Sequence, residues 1–286
     1  MQKHNFIIEK ILLDDIINHD TAKYNSNNHW TDNKIPDDYH NNLSKNDTSK
    51  WIHLFKHDYK QIVINKSIDI TWIKQAYLIG SQTGKFSNLY SDELEQTVDE
   101  LNVKYNKIFD GTKYFVRTDN VSLKYGMHGI GPYHNIKSII ESIVTCPRGH
   151  SPIYKDTKTI NIYLIPWINI EDKNEFRVFV HKNKISAISQ QNLYKKLYDD
   201  IDFKKLNTIV NYFDSNIKNN ITWMDFYTYD FALIVEDNDS LNPYFIEPNS
   251  FGKEYAAGSA LFHWLIDEDK LYGNGINKNI YFRFTI

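Results

Sequence analysis

The residue pattern predicts an α+β fold. Two stretches, Glu175–Ile188 and Tyr229–Ile246, read as β-hairpins. Helical periodicity falls elsewhere, over Ser91–Tyr105, Ile136–Val144 and Leu193–Ile217. The two kinds of segment do not alternate regularly, which argues against a doubly wound parallel sheet. The chain has 286 residues, 41% hydrophobic and 15% aromatic, enough for one large or two ordinary domains with real cores.

A formal charge of −3 gives no broad bias toward nucleic acid or membrane, though a local basic groove stays open. The single cysteine, Cys146, excludes an intramolecular disulfide and a cysteine-rich zinc site. Acids at Glu9, Asp14, Asp15 and Asp20 interrupt the opening residues, so no secretory leader is expected. No apolar run approaches a membrane span, and a cytoplasmic location is expected.

In chain order, Phe6–Ile17 predicts a short amphipathic helix. Asn18–Lys50 is rich in Asn, Asp, Ser, Lys and His and predicts a loop or loosely held arm, with Trp30 and Trp51 packing parts of it down. Trp51–Ile70 fits strand or helix equally. After the apolar run Trp72–Gly80 comes GSQTGKFS, which imitates a phosphate-binding loop. Only three residues separate Gly80 from Gly84, and Phe86 replaces the metal-binding hydroxyl, so that reading fails. Ser91 predicts an N-cap, with Glu93 and Glu95 in the first turns of the helix. Tyr114–Arg117 reads as a strand ending in a cation. Lys124 and three glycines (Gly126, Gly129, Gly131) follow. Arg117 and Lys124 could receive phosphate groups, but on their own they read more simply as solvated cations of a surface hairpin. His128 and His134 read as bystanders.

Ile160–Ile168 is a buried strand interrupted at Pro166. In NEFRVFVHKNKISAISQ, Glu175 and Arg177 share a strand face, and a turn at Lys182–Asn183 leads back. That pair is most simply an ion pair, and it also suits a nucleotide's sugar and phosphate. Ala256–Leu265 predicts a helix packed by small residues, and Ile280–Ile286 a last strand.

The stretch YDFALIVEDNDSLNPYFIEPNSFG carries the sharpest signal. A turn centred between Asn238 and Asp239 would set Asp230 opposite Glu247, with Asn249 on the same side. Facing carboxylates repel. Either a hard cation such as magnesium lies between them, or both are ordinary solvated acids.

Taken together, these parts resemble the ATP-grasp superfamily. EFRVFVHKNKISAISQ and FIEPNSFG, with SALFHW behind, look most like the D123 cell-division-cycle family, whose members assist assembly of eukaryotic translation initiation factor two. A related viral and bacterial ATP-grasp clade with paired arginines and a lysine is similarly close. The resemblance covers roughly residues 113–265 and departs from its relatives at Glu247, Pro248 and Ser250. It implies two lobes with antiparallel sheets clasping ATP, in a domain over residues 111–286 with subdomains of about 111–160 and 161–286. A smaller α/β domain over residues 1–110, with the polar arm at 18–50, would precede it.

By position, the resemblance places Arg117 and Lys124 on the phosphates and adenine side, Pro166 and Trp167 at the adenine hinge, and Glu175 on the ribose. It places Arg177, with Lys124, at the transferred phosphate, and Asp230, Glu247 and Asn249 on Mg2+. The implied activity is ATP-dependent ligation through an acyl phosphate. The alternative is an ATP-binding assembly chaperone for initiation factor two, with its γ subunit as partner.

Overall fold

The structure, a computed structural model, describes residues 4–26, 36–56, 58–65, 70–200, 202–237, 240–255, 257–273 and 279–286. The chain divides into two compact units, Met1–Asn46 with Asn169–Ile286, and Asp47–Ile168. This differs from the expected division at 110/111, and strand pairing gives the reason. β1 (Asn5–Ile11) pairs in parallel with the last strand, β9 (Asn279–Thr285), so the N-terminal residues complete the C-terminal sheet.

The expected helix over Phe6–Ile17 is therefore half strand. The run NFIIEKI is β1, and helix begins only at α1 (Leu13–Lys23), with Asp14 and Asp15 in its first turn. Within the expected arm, α2 (Tyr39–Ser44) is helical. Trp30 lies outside the described residues.

Unit 2 starts with α3 (Thr48–Phe55). Its sheet is antiparallel, with β4 (Ile160–Pro166) between β2 (Lys60–Ile64) and β3 (Tyr114–Thr118). Against it pack α4 (Ile70–Thr83), α5 (Ser91–Lys104) and α6 (Ile136–Thr145), around Ile62, Trp72, Leu101, Ile139 and Leu164. Gly80 lies inside α4, where an added Cβ would sit 2.3 Å from the Val144 carbonyl oxygen. The glycine that imitated a phosphate loop is a helix-crossing contact. Ser91 is the first residue of α5 rather than its cap, and its hydroxyl donates to the Asn88 carbonyl.

Unit 1 holds a six-stranded sheet, ordered β1-β9-β6-β5-β7-β8, with β5 Glu175–His181, β6 Lys184–Gln190, β7 Phe226–Val235 and β8 Leu241–Asn249. It is mixed: β9 is parallel to both β1 and β6, and the other pairings are antiparallel. Lys182 and Asn183 turn between β5 and β6 with φ of 49° and 56°, as a two-residue hairpin requires. Pro243 and Pro248 both lie on β8, an edge strand, where a missing N–H is tolerated.

Two helix expectations give way to side-chain capture of the backbone. Over Leu193–Ile217, α7 begins only at Phe203, capped by Asp202, and a π-helical turn follows over Phe213–Ile217. Upstream, the carbonyls of Asn192 and Lys195 accept from the Gln190 side chain and are lost to a helix ladder. Ile201 lies outside the described residues. Over Ala256–Leu265 the described residues form turns. The N–H groups of Leu261, His263 and Trp264 donate to Ser189, Asp267 and Ser26 side chains, and Ala260 has φ of 50°.

Candidate functional site

Directly paired residues in a sheet point to the same face. The ladder therefore writes the site as rows. Ser189, Arg177, Asp230 and Glu247 form one row across β6, β5, β7 and β8. Toward one strand end, Glu175 faces Ala232. Toward the other, Phe179, Thr228 and Asn249 form the next row. Asp230 faces Glu247 as expected, but the turn alone does not set this register. The outer hairpin pairs Val235 with Leu241 and Phe231 with Phe245, and a bulge at Ile246 restores the Asp230–Glu247 match. Asn238 and Asp239 lie outside the described residues.

The bulge also sorts faces. Tyr229, Phe231 and Phe245 are buried, with Tyr229 stacked on Phe213 and Phe245 and Phe231 ringed by Tyr212. The alternate residues Asp230 and Thr228, with Glu247 and Asn249, take the opposite face.

Arg177 pairs across the strands with Asp230 rather than along its own strand with Glu175. Its Nε and Nη2 donate to the two Asp230 oxygens, each at 2.8 Å, and Nη1 donates to the Gly258 carbonyl at 2.8 Å. Burial opposes the guanidinium charge. Asp230, then Glu247 and Glu175, outweigh that penalty and raise the Arg177 pKa, so three acids converge on one arginine.

Gln191 and Thr228 were missed in the sequence. The Gln191 amide nitrogen is 3.5 Å from Asp230 Oδ2, and the Asn249 amide nitrogen is 3.4 Å from the same oxygen. Gln191 Oε1 and Thr228 Oγ1 are buried and accept no hydrogen bond among the described residues. Their position, one residue past β6 and two before Asp230, was the available signal.

This set fits magnesium by donor chemistry. Asp230, Glu247 and Asn249 supply hard oxygens, and beside them two further buried oxygens have no partner among the described residues. A carboxylate has about four lone-pair sites, so Asp230 can hold Arg177 and still ligate. No group of three or more His, Cys, Asp or Glu forms a metal cage among the described residues.

The remaining candidates lie in unit 2. Arg117 is 2% exposed, donates from Nε to Thr48 Oγ1 at 2.7 Å and lies 5.0 Å over the Trp51 ring. Lys124 is exposed, with its ammonium 5.3 Å from the Tyr125 ring centre, and Tyr125 stacks on His150. Gly126 packs its backbone on Ser142, where a Cβ would clash, so that glycine serves helix contact. Pro166 ends β4 opposite Tyr114, and the Trp167 N–H donates to Lys113.

The D123 family profile matches residues 136–275. Its likeness is to the D123 family. Two solved structures agree with that D123-like reading. Cdc123 from Schizosaccharomyces pombe is 15% identical with a TM-score of 0.50, covering 85% of this chain and 97% of that one. Its C-terminally truncated form gives 14%, 0.51, 85% and 96%. At such identities these relatives show the fold alone, which is α+β. No curated protein matches the D123-like chain by sequence. Among its described residues no helix is long and apolar enough to cross a membrane.

Proposed function

We propose that the D123-like chain binds Mg·ATP on the unit 1 sheet and uses it as an ATP-dependent ligase. The supporting observation is the acid–amide set Asp230, Glu247 and Asn249 lying on one face with Arg177 and Glu175, beside two buried oxygens without partners among the described residues. Glu175 would accept from the ribose hydroxyls, and Arg177 would face the transferred phosphate. Asp230, Glu247 and Asn249 would hold magnesium, which when bound neutralises charge on the phosphates. Lys124 as a second catalytic cation, Arg117 on the nucleotide, and Pro166 with Trp167 at adenine complete the proposal, as does a cytoplasmic setting. In ligases of this type a carboxylate takes the γ-phosphoryl group, and a nucleophile then displaces phosphate. The protein contributes positioning and charge.

The D123 likeness favours a second reading, an ATP-binding assembly factor for translation initiation factor two that captures the γ subunit without turnover.

Calorimetry with ATP, with and without magnesium, tests the binding. We expect magnesium-dependent binding by the parent and an affinity loss of about tenfold or more in Asn249→Ala and Glu247→Gln, each removing one metal oxygen. Parent-like titration by both variants would overturn the metal assignment. ADP release stimulated by an acceptor separates the ligase from the assembly factor.

A further inference from the structure

We propose that a cavity of about 630 Å³ at the Phe226 end of the unit 1 sheet binds a cationic amine. It lies on the strand face already described. Thr228 and Asn249 form the row beyond Asp230, and Phe226, paired with His181, continues that face. At about 3.4 Å per residue, Phe226 lies about 14 Å along β7 from Asp230, in the direction opposite to Glu175. That this is the acceptor's pocket rests on the Mg·ATP reading, in which Glu175 marks the sugar end. That it binds an amine does not.

The lining sets the ligand class. Phe226, Phe251, Tyr255, Tyr272 and Trp223 supply aromatic walls, and ring faces attract a cation once it leaves water. Asp38, Asp225 and Glu254 line the same cavity against a single lysine, Lys45, whose ammonium donates to the Asn42 amide oxygen at 2.7 Å. His181, within 6 Å of the Phe226, Phe251 and Tyr272 ring centres, adds no opposing charge near neutral pH. Burial and then Lys182 lower its pKa. The α2 side is held by the Asn42 amide donating to the Tyr255 hydroxyl at 2.8 Å and by stacking of Tyr39 on Tyr255. If the bound amine is the acceptor, its nitrogen bonds to the acyl carbon as the carbon–oxygen bond to phosphate breaks. One ammonium proton leaves on the phosphate and one to solvent.

The test is calorimetric titration of the full chain, without nucleotide, with Nα-acetyl-lysine amide, its Nε-acetylated form and spermidine. Saturable binding of either cation, with none of the neutral acetylated form, is expected. Stronger binding of spermidine points to a free amine, and stronger binding of the lysine probe to a protein side chain. Phe226→Ala and Glu254→Gln should each weaken binding about fivefold or more, as expected for loss of one aromatic face or one counter-charge. Phe226 is 47% exposed, so its replacement leaves the core intact. Equal binding of the neutral probe, no binding of either cation, or parent-like binding by both variants overturns the proposal. Magnesium-dependent ATP binding is measured separately on the parent, so loss of the nucleotide reading leaves this result standing.

Discussion

Arg177 shows what a single residue hides in a sequence. Its neighbour in the chain suggested one partner, and the sheet supplied another 53 positions away, which no local spacing encodes. The same contact governs how the site should be probed. Asp230→Ala would strand a buried guanidinium and cost about 3–5 kcal/mol of stability, so Asn249 and Glu247 are the cleaner handles on magnesium. Arg177→Lys should weaken ATP binding, since a point charge cannot hold two carboxylate oxygens and a phosphate in one plane. Tyr229 offers the opposite case. Its hydroxyl is buried without a partner among the described residues, so Tyr229→Phe should raise unfolding free energy by about 1 kcal/mol in denaturant titration. In unit 2, burial and then Asp119 push the Asp47 carboxyl up to about 6. Since 3.8 is its ordinary value, the folded state holds the proton more tightly. Stability falls as pH rises from about 4 to 6, and the penalty is complete above that. Asp47→Asn should therefore stabilise the protein at pH 7–8 by about 1 kcal/mol, allowing for water around the group, and much less below pH 4.

At the scale of elements, the strands with two-residue periodicity were legible. β5, the Lys182–Asn183 turn and β6 followed from alternation and turn chemistry, whereas Asp230 meets Glu247 only by way of the bulge at Ile246. Three helix readings were not sound, for two physical reasons. Phe6–Ile8 is apolar on consecutive positions, which suits a strand with a parallel partner as well as a helix. Over Leu193–Phe203 and Ala257–Leu265, side chains of Gln190, Ser26, Ser189 and Asp267 take the backbone groups a helix would use, and periodicity does not report that. β1 depends on charge as well as pairing. Glu9 accepts from Arg283 and Lys270, each at 2.6 Å, and Arg283 grips Asp267. Burial alone would raise the Glu9 pKa, but hydrogen bonds from Lys270 and Arg283 lower it. The stabilisation is therefore present above pH 4.5 and lost as pH falls through the lowered value. Glu9→Gln should cost about 1–2 kcal/mol at pH 7 and progressively less in acid, measured by denaturant midpoints.

For the molecule as a whole, the fold class was readable and the partition was not. The six-stranded sheet closes with residues from both ends of the chain, and contacts of such sequence separation leave no trace in a local window. The partition is testable in fragments. Asp47–Ile168 carries a complete three-stranded sheet, its packed helices and their shared core, and should unfold cooperatively on its own. A fragment cut at 110/111 removes β2 from β4 together with α4 and α5, and should show no cooperative transition.

The bulge at Ile246 has a consequence for tinkering with the hairpin tip. Site-side alignment is fixed where Asp230 meets Glu247, well inside the ladder, and not at the tip beyond Val235 and Leu241. A tag or a longer connection spliced between Glu236 and Ser240 should leave nucleotide affinity untouched. Excising Ile246 should spare it too, because Phe231 then still faces Phe245 and Asp230 still faces Glu247 in an uninterrupted ladder.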